Sequence, residues 1–308
     1  MEIRRIAVIG AGLMGHGIAQ ELACAGFDVR LNDLEEQILE RALTNIRRNL
    51  GTLVAAGRFA PVEAETALAS IAVTTSLDEA VRDADLVIEA VAENLELKQR
   101  LFQALDERCR ADTILASNTS SYVPSALATA TSRPERVLVT HYFNPPYLVP
   151  LVEIVPTPKT DPQVVDNVYA LFAGMGKRPV IVRKEAVGFI ANRMQIALLR
   201  EALHIVEQGI AAFEDVDTVV RNSFGRRLPV AGPFEIADLA GLDIYAAAAQ
   251  AILPDLAAEA TRSPLLEERI ARGDFGIKTG RGFRDWTPKE AEHLRRRMAE
   301  ELLQRPPS

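Results

Sequence analysis

Four histidines occur in the chain, at positions 16, 141, 204 and 293, and one of them stands where a proton-transfer group belongs. His141 lies near the end of an apolar run, Val137–Phe143, that reads as a strand. Open α/β sheets bind their ligands at the carboxyl ends of strands. A turn-rich segment, Tyr-Phe-Asn-Pro-Pro-Tyr, follows it, and then Leu151-Val152-Glu153-Ile154-Val155, an apolar strand holding one carboxylate. A charge inside an apolar strand is costly unless it is paired. His141 and Glu153 are 12 residues apart across a strand–turn–strand pattern, so the carboxylate can meet the imidazole. Imidazole takes up and releases a proton near neutral pH. A buried carboxylate on its other ring nitrogen fixes the tautomer and stabilises the imidazolium. Such a pair suits removal of a hydroxyl proton while hydride leaves the carbinol carbon. From spacing alone, a core histidine with Glu153 paired to an arginine is an equal alternative. His16 falls in the first turn of a helix near a possible cofactor edge, His204 reads as structural, and His293 as solvated.

A second group of residues supplies a place for a dinucleotide. Gly10-Ala11-Gly12-Leu13-Met14-Gly15 follows a strand and opens a helix, the context that the G-x-G-x-x-G pattern requires. Gly10 permits the tight turn, Gly12 lets a pyrophosphate approach the backbone, and Gly15 lets helix and strand pack closely. The backbone through Leu13 and Met14 then offers free N–H groups and a partial positive charge at the helix N-terminus. Asp33 lies 18 residues after Gly15, at the end of the second strand. A carboxylate there accepts hydrogen bonds from ribose hydroxyls and repels a 2′-phosphate. Leu34, Glu35 and Glu36 follow it rather than an arginine, which favours NAD over NADP.

The elements that position these residues alternate through the first half of the chain. Strands are expected at Ile6–Ile9, Val29–Leu31, Ala72–Thr74, Leu86–Ala90, Thr113–Ala116, Val137–Phe143, Leu151–Val155 and Val180–Val182. Helices are expected at Met14–Ala25, stopped by Gly26, and over the long interleaved stretch Leu34–Leu68. This pattern implies an α/β fold with a Rossmann-type, doubly wound, mostly parallel sheet. From Gly188 onward strand signals nearly vanish. Ile190–Gln208, Phe213–Phe224 and Phe234–Leu253, the last broken near Gly241, read as helices. Ser263-Pro264 and the Thr287/Glu290 capping box each announce a further helix. The reading is an NAD-binding domain over 1–187 and an all-α substrate and dimerisation domain over 188–308.

The bulk numbers agree with a soluble enzyme. The chain has 308 residues, 48% hydrophobic and 25% charged, long enough for two cores. A formal net charge of −7 argues against a nucleic-acid partner. No apolar run is long enough to span a membrane, and the stretch from Met1 to Val8 is not a signal peptide. Cys24 and Cys109 show no metal spacing and make no disulfide framework. A cytoplasmic setting without a metal centre is the expectation.

The pieces IAVIGAGLMGHGIAQ, VIEAVAENLELKQRLF, ASNTSS, HYFNP, LVEIV, GFIANR, GPFEIADLAGLD and FGIKTGRGF, in this order, resemble the L-3-hydroxyacyl-CoA dehydrogenase family over nearly the whole length. The resemblance implies NAD-dependent interconversion of a 3-hydroxyacyl-CoA and its 3-oxo form, in fatty acid metabolism. It implies that His141 is the catalytic base, Glu153 its acidic partner, Ser120 a hydrogen-bond donor to substrate, and Asn192 an orienting group for the substrate carbonyl. Glu93, Lys98, Asn118, Asn144 and Lys278 match cofactor-site and neighbouring substrate contacts, and the family is dimeric through its helical domain. In the acyl-CoA enzymes the segment after Asp33 is a lysine-rich helical hairpin touching CoA. Here Asn49–Glu65 holds one basic residue, Arg58. The Pro-Pro-Tyr turn after Asn144 resembles instead the relatives acting on free hydroxy acids, such as L-gulonate, carnitine or pyridine carboxylates. The leading expectation is a thioester, with the same chemistry on a free 3-hydroxy acid as the alternative. Arg226 and Arg227 are possible carboxylate ligands, although a solvated helix end explains them better. A catalytically idle NAD-binding protein, of the kind found among crystallins, is disfavoured by intact Ser120, His141, Glu153 and Asn192.

Overall fold

A computed structural model describes residues 2–304. Met1 and residues 305–308, which the domain reading includes, lie outside the described residues. Eight strands form one sheet: β1 (Arg5–Ile9), β2 (Asp28–Asn32), β3 (Ile71–Thr74), β4 (Leu86–Glu89), β5 (Ile114–Ser117), β6 (Val137–Tyr142), β7 (Leu151–Pro156) and β8 (Arg178–Ile181). Their order is β3-β2-β1-β4-β5-β6-β7-β8. All eight strands expected from apolar runs are present. Side chains alternate faces along a strand, so Ile6 and Val8 enter one hydrophobic cluster while Ala7 and Ile9 enter another. Burial on both faces is why these strands read as unbroken apolar runs.

The chain reverses direction across the sheet between β1 and β4, and this switch point opens a crevice at the carboxyl end of β1. Every neighbouring pair is parallel except β6 and β7. The segment between those two strands is too short for a crossover, which needs about a dozen residues or more. It therefore returns antiparallel, with His141 directly opposite Glu153.

The helices are α1 (Gly15–Cys24), α2 (Glu36–Ala55), α3 (Pro61–Ala69), α4 (Leu77–Val81), α5 (Leu95–Arg108), α6 (Pro124–Ala128) and α7 (Pro162–Gly174), followed by α8 (Ala191–Glu207), α9 (Phe213–Asn222), α10 (Pro233–Ala240), α11 (Leu242–Ile252), α12 (Pro264–Ala271) and α13 (Pro288–Gln304). The single helical stretch expected over Leu34–Leu68 is two helices. Gly57 turns left-handed at φ +69°, and Pro61 is pre-organised to begin the second helix but unable to continue the first. The break at Gly241, the Ser263 cap on Leu266 N–H and the Thr287–Glu290 capping box are all formed.

The chain divides into two compact units. Among the described residues, one comprises 2–192 and 298–304; the other is Arg193–Arg297. The division falls a few residues after the handover read at 187, because the backbone at Ile190 and Ala191 is hydrogen-bonded into the first unit. No single helix among the described residues is long and apolar enough to cross a membrane.

Candidate active site

The glycine turn is closed from both sides. Gly10 N–H donates to Asn32 O at 2.8 Å, and Ala11 N–H donates to Asp33 Oδ2 at 2.7 Å. Gly10 has φ +100°, and a Cβ there would lie 2.6 Å from Ala90 O. A Cβ at Gly15 would lie 1.7 Å from Gly10 O, so helix and turn can touch only without one. Gly12 differs: nothing lies within 4 Å of where its Cβ would point. The fold itself needs glycine at positions 10 and 15, whereas the surface at 12 is open. That open surface, with Leu13 and Met14 leading into the N-terminus of α1, fits a pyrophosphate. Asp33 holds the turn with one oxygen and Leu34 N–H with the other, at 2.8 Å. Each carboxylate oxygen keeps a lone pair for ribose hydroxyls. The residues present therefore fit NAD.

A buried polar network borders this crevice. Glu89 ends β4 with no exposed surface and accepts from Lys98 Nζ at 2.6 Å and Ser117 Oγ at 2.5 Å. Lys98, 1% exposed, also pairs with Glu93 Oε2 at 3.2 Å. Glu93 Oε1 accepts from Thr119 Oγ1 at 2.5 Å and from Ser121 N–H at 3.1 Å. Burial pushes the Glu93 carboxyl up, but Thr119, Lys98 and Ser121 together hold it below the usual carboxylate range. Asn118 donates its N–H to Glu89 O and accepts Tyr142 N–H at 2.9 Å, tying β5 to the end of β6. Lys98 thus gives its ammonium to two carboxylates, and the network as a whole pins the loop carrying Ser120. Sequence reasoning passed over Glu89, although it carries the same cue as Glu153: a charge inside an apolar strand.

His141 Nδ1 lies 2.8 Å from Glu153 Oε2, with the two side chains 5% and 1% exposed. The other carboxylate oxygen accepts Ile190 N–H at 2.8 Å and Ala191 N–H at 3.0 Å. Burial raises the Glu153 carboxyl, but His141 and these two N–H groups outweigh it and bring it below its ordinary value. An ionised acceptor makes Nδ1 the donor, which leaves Nε2 with a free lone pair in the neutral ring. Phe143 and Phe189 flank the imidazole at centroid distances of 4.6 and 5.4 Å. Phe189 is buried with φ +49°, a left-handed conformation that costs free energy in a non-glycine residue and is typical of functional turns. That turn aims Ile190 and Ala191 N–H at Glu153. Asn192 Nδ2 then reaches Ser120 O at 3.4 Å. The structure so links Ser120 to Asn192, whose chain neighbour Ala191 is bonded to the His141–Glu153 pair. Asn144 is exposed at the head of the following turn.

Lys278 belongs to the second unit, where it is exposed beside a cavity of about 650 Å³ walled by Leu199, Leu203, Phe213, Ile270 and Trp286. Among the described residues no cluster of three or more His, Cys, Asp or Glu side chains is arranged to hold a metal ion. Both cysteines are free thiols.

Residues 5–186 match the NAD binding domain of 3-hydroxyacyl-CoA dehydrogenase, and residues 188–286 match the C-terminal domain of the same family. The chain is 36% identical to 5-formyl-3-hydroxy-2-methylpyridine 4-carboxylate 5-dehydrogenase of Mesorhizobium japonicum over 98% of this chain and 96% of that protein. A crystal structure of a 5-dehydrogenase of that name, described as an NAD+ dependent dismutase, superposes with a TM-score of 0.92 at 36% identity, over 98% of this chain and 97% of the other. A probable 3-hydroxybutyryl-CoA dehydrogenase of Bacillus subtilis is 38% identical over 94% of this chain and 99% of its own. The chain is an NAD-dependent oxidoreductase and belongs to the 3-hydroxyacyl-CoA dehydrogenase family.

Proposed function

We propose that this enzyme interconverts a 3-hydroxy acyl compound and its 3-oxo form, with His141 as general base. The observation that supports this most is the buried His141–Glu153 pair, with Nδ1 engaged and Nε2 left over. Bound NAD supplies the hydride acceptor. His141 Nε2 takes the proton of the substrate hydroxyl, and the ionised Glu153 stabilises the imidazolium so formed. Ile190 and Ala191 N–H keep Glu153 charged and fixed. Ser120 and Asn192 offer neutral donors to the substrate oxygen, where charge develops as the carbonyl is made. Phe143 and Phe189 limit water at the imidazole. Asp33 takes the adenosine ribose, and the Gly12–Met14 backbone takes the pyrophosphate.

Between thioester and free acid, two observations favour the free acid. The α2–α3 hairpin is neutral, since Arg41, Arg47, Arg48 and Arg58 are balanced by Glu36, Glu40, Glu63 and Glu65. Arg58 is further occupied by the Leu303 carbonyl. A CoA handle brings several phosphate charges that such a surface does not attract. The Mesorhizobium relative, whose name denotes a free pyridine carboxylate, also matches this chain from end to end. The test is NADH oxidation with acetoacetyl-CoA beside NAD reduction with L-gulonate, carnitine and 3-hydroxybutyrate. Activity on a free acid with silence on the thioester is expected. Fast turnover of acetoacetyl-CoA alone overturns the free-acid assignment and restores the thioester reading.

The working unit is a homodimer formed through the helical unit. Taken in this chain alone, α9 and α11 bury no residue, and Val230, Phe234 and Leu239 are 87%, 85% and 88% exposed. Apolar surface of that kind calls for a partner, and a second copy meets it with the same patch. Light scattering is expected to give twice the chain mass, and a monomer at micromolar concentration contradicts it.

A further inference from the structure

The turn between β6 and β7 has a bonding problem. Pro145, Pro146 and Pro150 bring no N–H groups to it. Leu148 and Val149 N–H both go to the single carbonyl of Pro145. The carbonyls of Pro146 and Val149 therefore have no donor within the turn, and interior carbonyls require one. Lys177 provides it. Its Nζ donates to Pro146 O at 2.6 Å and to Val149 O at 2.8 Å, and it pairs with Glu21. The side chain is 4% exposed, and the three donors of the ammonium meet three acceptors. Glu21 comes from α1, the helix that opens at the glycine turn. Gly17, one helical turn earlier, lies against the same loop, where a Cβ would come within 2.9 Å of Pro146 Cδ.

We propose that Lys177, with Glu21 as its counter-charge, is a positioning residue of the active site, fixing the Asn144–Pro150 turn against the cofactor helix. The proposal rests on the assignment of His141 and Asn144 to the site, since the turn begins with Asn144, three residues after the base. A stability role alone explains the pair poorly: buried ion pairs contribute little net stability compared with apolar side chains of equal volume. What the pair does supply is one defined placement of a proline-rich turn that cannot hold itself.

The test removes both charges together, so that no lone charge stays buried. In Glu21→Gln/Lys177→Met, amide hydrogen exchange at Tyr147, Leu148 and Val149 is expected to speed up at least about tenfold, while β1 and α1 exchange as before. kcat/KM for the hydroxylated substrate is expected to fall roughly ten- to a hundredfold, with the NADH Kd within about twofold of wild type. Glu21→Gln/Lys177→Gln keeps a neutral donor and is expected to lie between the two; it also serves should the methionine variant not fold. Unchanged exchange with kcat/KM within about twofold overturns the proposal, as does loss of NADH binding in step with turnover. A wild-type protein silent on every hydroxylated substrate refutes the functional reading instead, and the exchange data still decide whether Lys177 holds the turn.

Discussion

Glu153 is charged inside a nonpolar strand because three donors surround it, and that environment sets its chemistry and its pH behaviour. Exchanging the carboxylate for an amide keeps the shape but not the charge that supports an imidazolium. Glu153→Gln is therefore expected to lower kcat by roughly two to four orders of magnitude with NAD affinity unchanged, read from steady-state rates and NADH titration. Glu153 also contributes to stability with a definite sign. Its folded-state pKa lies below the ordinary carboxylate value, so its stabilisation is present above that value and is lost as pH falls through the lowered one. Thermal midpoints across acid pH should fall more steeply for wild type than for Glu153→Gln, and parallel curves would contradict this. At Asp33, Asp33→Asn should weaken NAD more than NADP, and an unchanged cofactor preference would remove the ribose assignment. The His141–Glu153 pair was legible because a carboxylate stands out in an apolar strand. Lys98 was expected at the nucleotide site from the family resemblance, but its enclosure by Glu89 and Glu93 could not be read, because only the fold brings β4 and the start of α5 together.

The elements divide the glycines by task, and this gives a contrast that one experiment can read. At Gly15 an added Cβ meets backbone at 1.7 Å, so Gly15→Ala should destabilise the fold by about 1–3 kcal/mol. At Gly12 it meets nothing, so Gly12→Ala should leave the thermal midpoint nearly unchanged while weakening NADH binding. Equal effects of the two on stability would contradict the division. The strands could be read from sequence because a doubly buried strand is an unbroken apolar run. The hairpin break was hidden because polar and apolar residues interleave through Arg58–Ala60 much as they do in the helices on either side. The left-handed Phe189 had no signal at all. A buried phenylalanine looks like core in a sequence, and only the bonds of Ile190 and Ala191 to Glu153 show why the chain turns there.

At the scale of the whole molecule, the chain divides into two units of different composition. The first holds the glycine-turn crevice at the sheet's switch point and the His141–Glu153 pair across its one antiparallel strand pairing, β6 with β7. The second is helical and leaves Val230, Phe234 and Leu239 largely exposed in this chain. Fold class and cofactor could be read from periodicity, the glycine turn and Asp33. Substrate class could not: a neutral hairpin and a proline-rich turn can be read in the sequence, but what they bind cannot. In the proposed mechanism His141 moves the proton and does nothing else indispensable. The most direct test is His141→Ala, with kcat and the NADH Kd measured on the same preparation. A fall in kcat of roughly two to four orders of magnitude with NADH binding nearly intact is expected. Retained turnover, or NADH binding lost in proportion to turnover, would contradict it.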